Sequence, residues 1–80
     1  MITPFNTPGH TLETITPGPD GNLWFTEFGD NRVARITPDG VITESPVVKG
    51  SGPTGISAGP HSTIWFLGYA SNKVYRINMP

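Results

Sequence analysis

Apolar residues along the chain come in short runs, separated by Gly, Pro, Asp and Asn, and the order of these runs occurs twice. Gly18-Pro19-Asp20-Gly21-Asn22-Leu23-Trp24-Phe25 returns as Gly59-Pro60-His61-Ser62-Thr63-Ile64-Trp65-Phe66, an offset of 41 residues (59 − 18). The same offset sets Asn31 against Asn72, Val33 against Val74, Arg35 against Arg76 and Ile36 against Ile77. A period of about 40 residues built from strand, turn, strand is the pattern of a β-propeller blade. The fold class expected is therefore all-β.

Taken in order, Met1 to Phe5 reads as a short strand, with Pro4 suited only to a sheet edge. Asn6 to Glu13 reads as a loop, and Thr14 to Thr16 as the first strand of a blade. Asp20-Gly21 marks a hairpin turn, because glycine accepts positive φ without steric cost. Leu23 to Glu27, Arg32 to Thr37 and Val41 to Glu44 complete a four-stranded blade over residues 14–44. Ser45 to Pro53 links it to a second blade over residues 54–80, with strands at Gly55 to Ala58, Thr63 to Leu67 and Lys73 to Ile77. That blade lacks a fourth strand.

Met1 to Phe5 has the character of the missing strand, since Ile2-Thr3 matches Ile42-Thr43 at an offset of 40 (42 − 2). Two blades fall short of the about 4 to 8 that close a propeller. The expectation is a homo-oligomeric ring joined head to tail, in which residues 1–5 of one copy complete the last blade of the next by Velcro-like strand exchange. A homotrimer of six blades is the first choice and a homotetramer of eight the second. The contact would set Ile2, Thr3 and Phe5 against Lys73, Val74, Tyr75 and Ile77. Leu23-Trp24-Phe25 and Ile64-Trp65-Phe66 place bulk on both faces of the pleat, as stacked blades require.

Composition narrows the partners. A net charge of −1 with 14% charged residues gives no footprint for nucleic acid or an anionic membrane. No run reaches the roughly 20 apolar residues of a membrane span, and no basic-then-apolar leader opens the sequence, so cytoplasm is the default expectation. Without cysteine there is neither a disulfide framework nor a thiolate metal site.

Gly18 to Glu27, Gly-Pro-Asp-Gly-Asn-Leu-Trp-Phe-Thr-Glu, followed by Asn31-Arg32-Val33-Ala34-Arg35-Ile36-Thr37-Pro38-Asp39-Gly40, resembles the repeat of the streptogramin B (virginiamycin B) lyases. The resemblance covers the chain as two repeats, the second worn at His61-Ser62-Thr63 and Leu67-Gly68-Tyr69. It implies a seven-bladed single chain, a number that copies of two blades never reach. It also implies a magnesium-dependent elimination that opens a cyclic depsipeptide at its ester. In that family a histidine before the Gly-Ile of an inner strand moves the proton, and a glutamate in the Trp-Phe-x-Glu segment holds metal. Glu27 sits where that glutamate sits, whereas the histidine position falls on Glu13 and Thr54, and Gly68 replaces the second glutamate.

The residues themselves offer few sites. Glu27 ends the strongest strand and could hold Mg2+ on a ring axis, one copy per subunit, or be a solvated carboxylate. His10 and Glu13 share a loop and could act as a base and its orienting carboxylate, or be merely exposed. His61 reads as a drifted turn residue. Trp24, Trp65, Phe25, Phe66 and Tyr69 read as core between blades, with a glycan platform as the alternative. Arg35 and Arg76 are expected to bridge blades. The favoured function is a non-catalytic structural or small-ligand-binding propeller that requires no cofactor. A magnesium-dependent lyase and a propeller lectin stand behind it.

Overall fold

The computed structural model describes residues 1–79; Pro80, the expected end of the second blade, lies outside the described residues. It contains two antiparallel sheets in sequence order, one per repeat. The first is a four-stranded meander of β1 (Leu12–Pro17), β2 (Leu23–Glu27), β3 (Arg32–Ile36) and β4 (Ile42–Glu44). The second is a three-stranded meander of β5 (Pro53–Gly59), β6 (Thr63–Gly68) and β7 (Lys73–Asn78). One 3-10 turn, Phe28–Asp30, replaces the plain turn expected there.

The sheets repeat at the level of backbone detail. β1 pairs with β2 through an irregularity between Leu12 and Ile15, and β5 pairs with β6 through one between Pro53 and Ile56. Asn31 and Asn72 both take the left-handed conformation, with φ of 57° and 59°. Thr11 and Gly52 occupy the left-handed region at φ 55° and 56°. Their carbonyls accept equivalent hydrogen bonds, from Phe28 N at 2.9 Å and from Tyr69 N at 2.8 Å. Thr11 therefore enters β1 as Gly52 enters β5. The chain enters β1 as though leaving a preceding blade.

The core is where the two sheets face each other. The register places Trp24, Thr26, Val33 and Arg35 on one face of the first blade, and Ile64, Phe66, Tyr75 and Ile77 on the opposing face of the second. Trp24, Val33, Ile64 and Phe66 form the buried cluster, with Ile56, Tyr75 and Ile77 packed against it. Phe66 and Tyr75 stack at 5.0 Å between ring centroids. The Thr14 hydroxyl also donates to the Thr54 carbonyl, joining the two innermost strands.

Met1 to Phe5 forms no strand in the single chain, and the Phe5 ring lies over Gly40 of the first blade. Tyr75 and Ile77 pack against the buried cluster, whereas Lys73 and Val74 are exposed. One expectation changes. The arginines stay within their own blades. Arg35 pairs with Asp20 at 3.2 Å and lies over Trp24 at 5.7 Å, and Arg76 lies over Trp65 at 5.6 Å.

Two substitutions test this packing. Phe66→Ala removes the centre of the inter-blade core and should destabilise by about 3–5 kcal/mol in urea unfolding. Thr11 is β-branched at a conformation that costs a non-glycine residue about 1–2 kcal/mol, and its counterpart is already Gly52. Thr11→Gly should therefore raise the urea midpoint, the opposite of glycine's usual effect.

Candidate functional site

The face of the first blade turned away from the second carries the densest group of ionisable side chains. Glu27 pairs with Arg32 across the β2–β3 hairpin, and Ala34 pairs with Glu44 across β3–β4. By the period of two, Glu27, Arg32 and Glu44 project from the same face. The turn after β2 brings in Asp30, and carboxylate oxygens of Glu27, Asp30 and Glu44 lie within 4.8 Å of one another.

The surroundings are specific. Arg32 Nη1 donates to Glu44 Oε1 at 3.2 Å. Asp30 accepts from His10 twice: the backbone N–H reaches Oδ2 at 3.1 Å and the ring Nδ1 lies 3.1 Å from Oδ1. Thr7 Oγ1 donates to Glu27 Oε2 at 3.2 Å. Gly9 closes over the same carboxylate, and a Cβ there would stand 2.2 Å from the Glu27 carboxyl carbon, so any larger residue would displace that side chain. Under this cover Glu27 is 0% exposed. Its Oε1 and the Glu44 Oε2 are buried without a hydrogen-bond partner. Burial first, then the facing carboxyl of Glu44 and the charge of Asp30, push the Glu27 pKa up to about 7; the Thr7 hydroxyl opposes them.

Glu27 is thus not a solvated strand end. It is sealed inside one blade. His10 pairs with Asp30 rather than with Glu13, so the expected base and orienting carboxylate are not brought together. Glu13 and Thr54 line a separate groove of about 260 Å³ with Thr11, Phe28 and Tyr69, between the two inner strands. The hydroxyl of Thr54 offers no base at neutral pH where the resemblance wants histidine. His61 is in the β5–β6 turn at φ 58°, followed by Ser62 at φ 56°. Of the aromatic set, Trp24, Phe25 and Phe66 are buried, and Trp65 and Tyr69 are exposed.

Asp20 belongs to a different, structural constellation. Desolvation acts to raise its pKa, but hydrogen bonds from Trp24, Asn22 and Arg35 outweigh it and hold the carboxyl at about 2. This ties the Asp20-Gly21 turn to the indole Nε1 at 3.0 Å. In the second blade Thr63 Oγ1 accepts from the Trp65 indole instead, at 2.9 Å.

The pH response of the two carboxyls runs in opposite directions. Glu27 has a folded pKa above its ordinary value of 4.5, so its contribution is full below about 4.5 and lost as pH rises through about 7. The Asp20 contribution is present above 3.8 and lost only as pH falls through about 2. Urea midpoints followed between pH 4.5 and 7 should fall with rising pH by an amount that Glu27→Gln removes.

With this geometry in view, the likenesses to known proteins concern both blades. The model of the virginiamycin B lyase family matches residues 2–80. The virginiamycin B lyase of Bordetella bronchiseptica is 36% identical over 55 residues, which is 68% of this chain and 18% of that protein. The one from Mycobacterium sp. (strain KMS) is 46% identical over 40 residues, 50% of this chain and 14% of its own. Among solved structures, virginiamycin B lyase from Staphylococcus aureus superposes with a TM-score of 0.78 at 32% identity, covering 95% of this chain and 30% of that one. A catalytically inactive histidine-to-alanine form of that enzyme, solved with quinupristin, matches equally well. The chain thus spans less than a third of the length of these relatives. Matched by the family's model over residues 2–80 and superposing over 95% of its length on a solved lyase, the chain belongs to the virginiamycin B lyase family.

Proposed function

We propose that the chain is a non-catalytic, two-bladed unit that builds a closed β-propeller with copies of itself. One observation carries this reading: the interface inside the chain has both of its halves repeated, unmatched, on the outside. Val33 is 1% exposed in that interface, whereas its equivalent Val74 is 64% exposed. Trp24 is 8% exposed and Trp65 is 36%. On the far side of the first blade, Leu23, Ile15 and Ile36 stand where Ile64, Ile56 and Ile77 stand in the second. Ile15 and Leu23 are exposed as well. A second copy, placed as the second blade is placed on the first, would cover both faces with contacts the fold already uses.

The links support the same arrangement. Asn31 holds the inter-blade link by accepting from Gly52 N at 2.9 Å through its side chain and from Val48 N at 2.8 Å through its carbonyl. Asn72 has the same left-handed backbone, and residues 6–11 of a next copy would bring Thr11 to it as Gly52 comes to Asn31. Met1 to Phe5 would then lie beside the open edge of β7. Six blades from three copies is the ring this favours, with eight from four copies as the second choice.

Catalysis is not part of the proposal, because Thr54 and Gly68 stand where the family resemblance calls for a proton-transferring histidine and a glutamate. The groove that Thr54 lines could still admit a small ligand.

The decisive measurement is native mass by light scattering. Three chains per particle is the expected result, four would replace the trimer with the eight-bladed ring, and a monomer would refute assembly. Val74→Asp should shift the particle toward single chains while strand content by circular dichroism persists, since Val74 is exposed in the single chain. A cyclic depsipeptide incubated with the protein and Mg2+ should remain intact; ring-opened product would instead establish the lyase reading.

A further inference from the structure

The two blades treat their stacked arginines differently, and the difference points to a residue of the next copy. We infer that Arg76 of one copy pairs with Asp39 of the next, an ion pair that sets which faces meet and in what register. The inference rests on the head-to-tail assembly proposed above and names the charges that direct it.

In the first blade Asp20 serves two partners. It accepts from the Trp24 indole at 3.0 Å and from Arg35 Nη1 at 3.2 Å, while the guanidinium lies over the indole ring at 5.7 Å. The second blade keeps the indole and the guanidinium but not the carboxylate. At the same offset of 41 residues (61 − 20), His61 stands in the place of Asp20. Thr63 Oγ1 accepts from the Trp65 indole at 2.9 Å, and Arg76 still lies over Trp65 at 5.6 Å. Arg76 itself is exposed and belongs to no ion pair among the described residues. Stacking on the indole fixes the plane of the guanidinium and leaves its N–H edge ready for a carboxylate.

Two features bring Asp39 of the next copy to that edge. Within the chain, Met79 packs against the buried cluster that includes Trp24. Pro38 is the counterpart of Met79 (79 − 38 = 41), and Trp24 is that of Trp65. A second copy stacked in the same way would set its Pro38 against Trp65, with Asp39 one residue further on. The N-terminal segment leads to the same place. Its Phe5 ring lies over Gly40, next to Asp39, and strand exchange would lay residues 1–5 along β7, which carries Arg76. Asp39 is exposed and, among the described residues, is in no ion pair either. Two copies meeting through identical faces would present Arg76 to a face with Arg76, or Asp39 to one with Asp39. Neither arrangement gains the pair, so the charges favour head-to-tail stacking.

The test is native mass by light scattering over a dilution series, with strand content by circular dichroism as the check on folding. Arg76→Glu and Asp39→Arg should each weaken assembly by roughly tenfold or more, because each sets like charges against one another. The two together should recover most of that loss. Both side chains are exposed in the single chain, so strand content should persist. Should a reversal lose it, salt decides. Raising NaCl from about 0.1 M to about 1 M shortens the screening length from about 10 Å to about 3 Å, and should weaken assembly of the unmodified protein more than that of Asp39→Asn. Single reversals that leave the mass of an assembling protein unchanged, a double reversal no better than the singles, or an equal salt response in Asp39→Asn would overturn the ion pair and leave the ring standing. An unmodified chain that stays single at every concentration would overturn both.

Discussion

Everything in this chain follows from blades that are apolar on both faces. A sheet with one wet face alternates apolar and polar residues and can stop at two layers. Here Leu23-Trp24-Phe25 and Ile64-Trp65-Phe66 put bulk on both sides, so each blade needs a neighbour on both sides. The first blade satisfies one face with the second blade, and Val33 and Ile64 vanish from the surface at that contact. On the opposite faces Ile15, Leu23 and Val74 remain exposed. The open edge of β7 poses the same problem in hydrogen bonds rather than apolar area.

Much of this was legible in the sequence because a propeller blade is a local object. Hairpins fix register through their turns, so the bounds of β2, β3 and β4 fall within a residue of where apolar runs and Gly-containing turns put them. The repeat gave a second reading of each element and a check on the first. The polar constellations were less visible, since they depend on how loops return to a sheet. His10 was paired with its sequence neighbour Glu13, but the loop carries it to Asp30. Glu27 looked like an open strand end because nothing in Thr7-Pro8-Gly9 announces that this segment folds over it. One signal was available: in a meander with tight turns, Glu27, Arg32 and Glu44 share a face by parity alone.

The two repeats have solved the same geometric tasks with different residues, and the differences mark where function has room to vary. The indole of the first blade is held by Asp20 and that of the second by Thr63. The place of Glu27 and Asp30 is taken by Gly68 and Ser71, where the Ser71 hydroxyl meets Tyr75 Oη at 2.9 Å. The backbone link is conserved in conformation between Thr11 and Gly52 although only one of them is suited to it. Strand pairing and link geometry tolerate little change, whereas the ends of β2 and β6 tolerate exchange of a charged cluster for a neutral one.

The unmatched faces have a further consequence for how such a unit behaves at high concentration. If copies stack as proposed, a surface that fits the next copy carries no instruction to stop. Termination comes only from the angle at which one blade sits on another. If that angle accumulates to a full circle the particle is finite; if it falls slightly short, the same contacts propagate as a fibre. The side chains that set it, Trp24, Val33, Ile64 and Phe66, are those at the centre of the fold. In the proposed ring, a change to this cluster would therefore also change particle size, and solubility would depend on residues buried inside the chain.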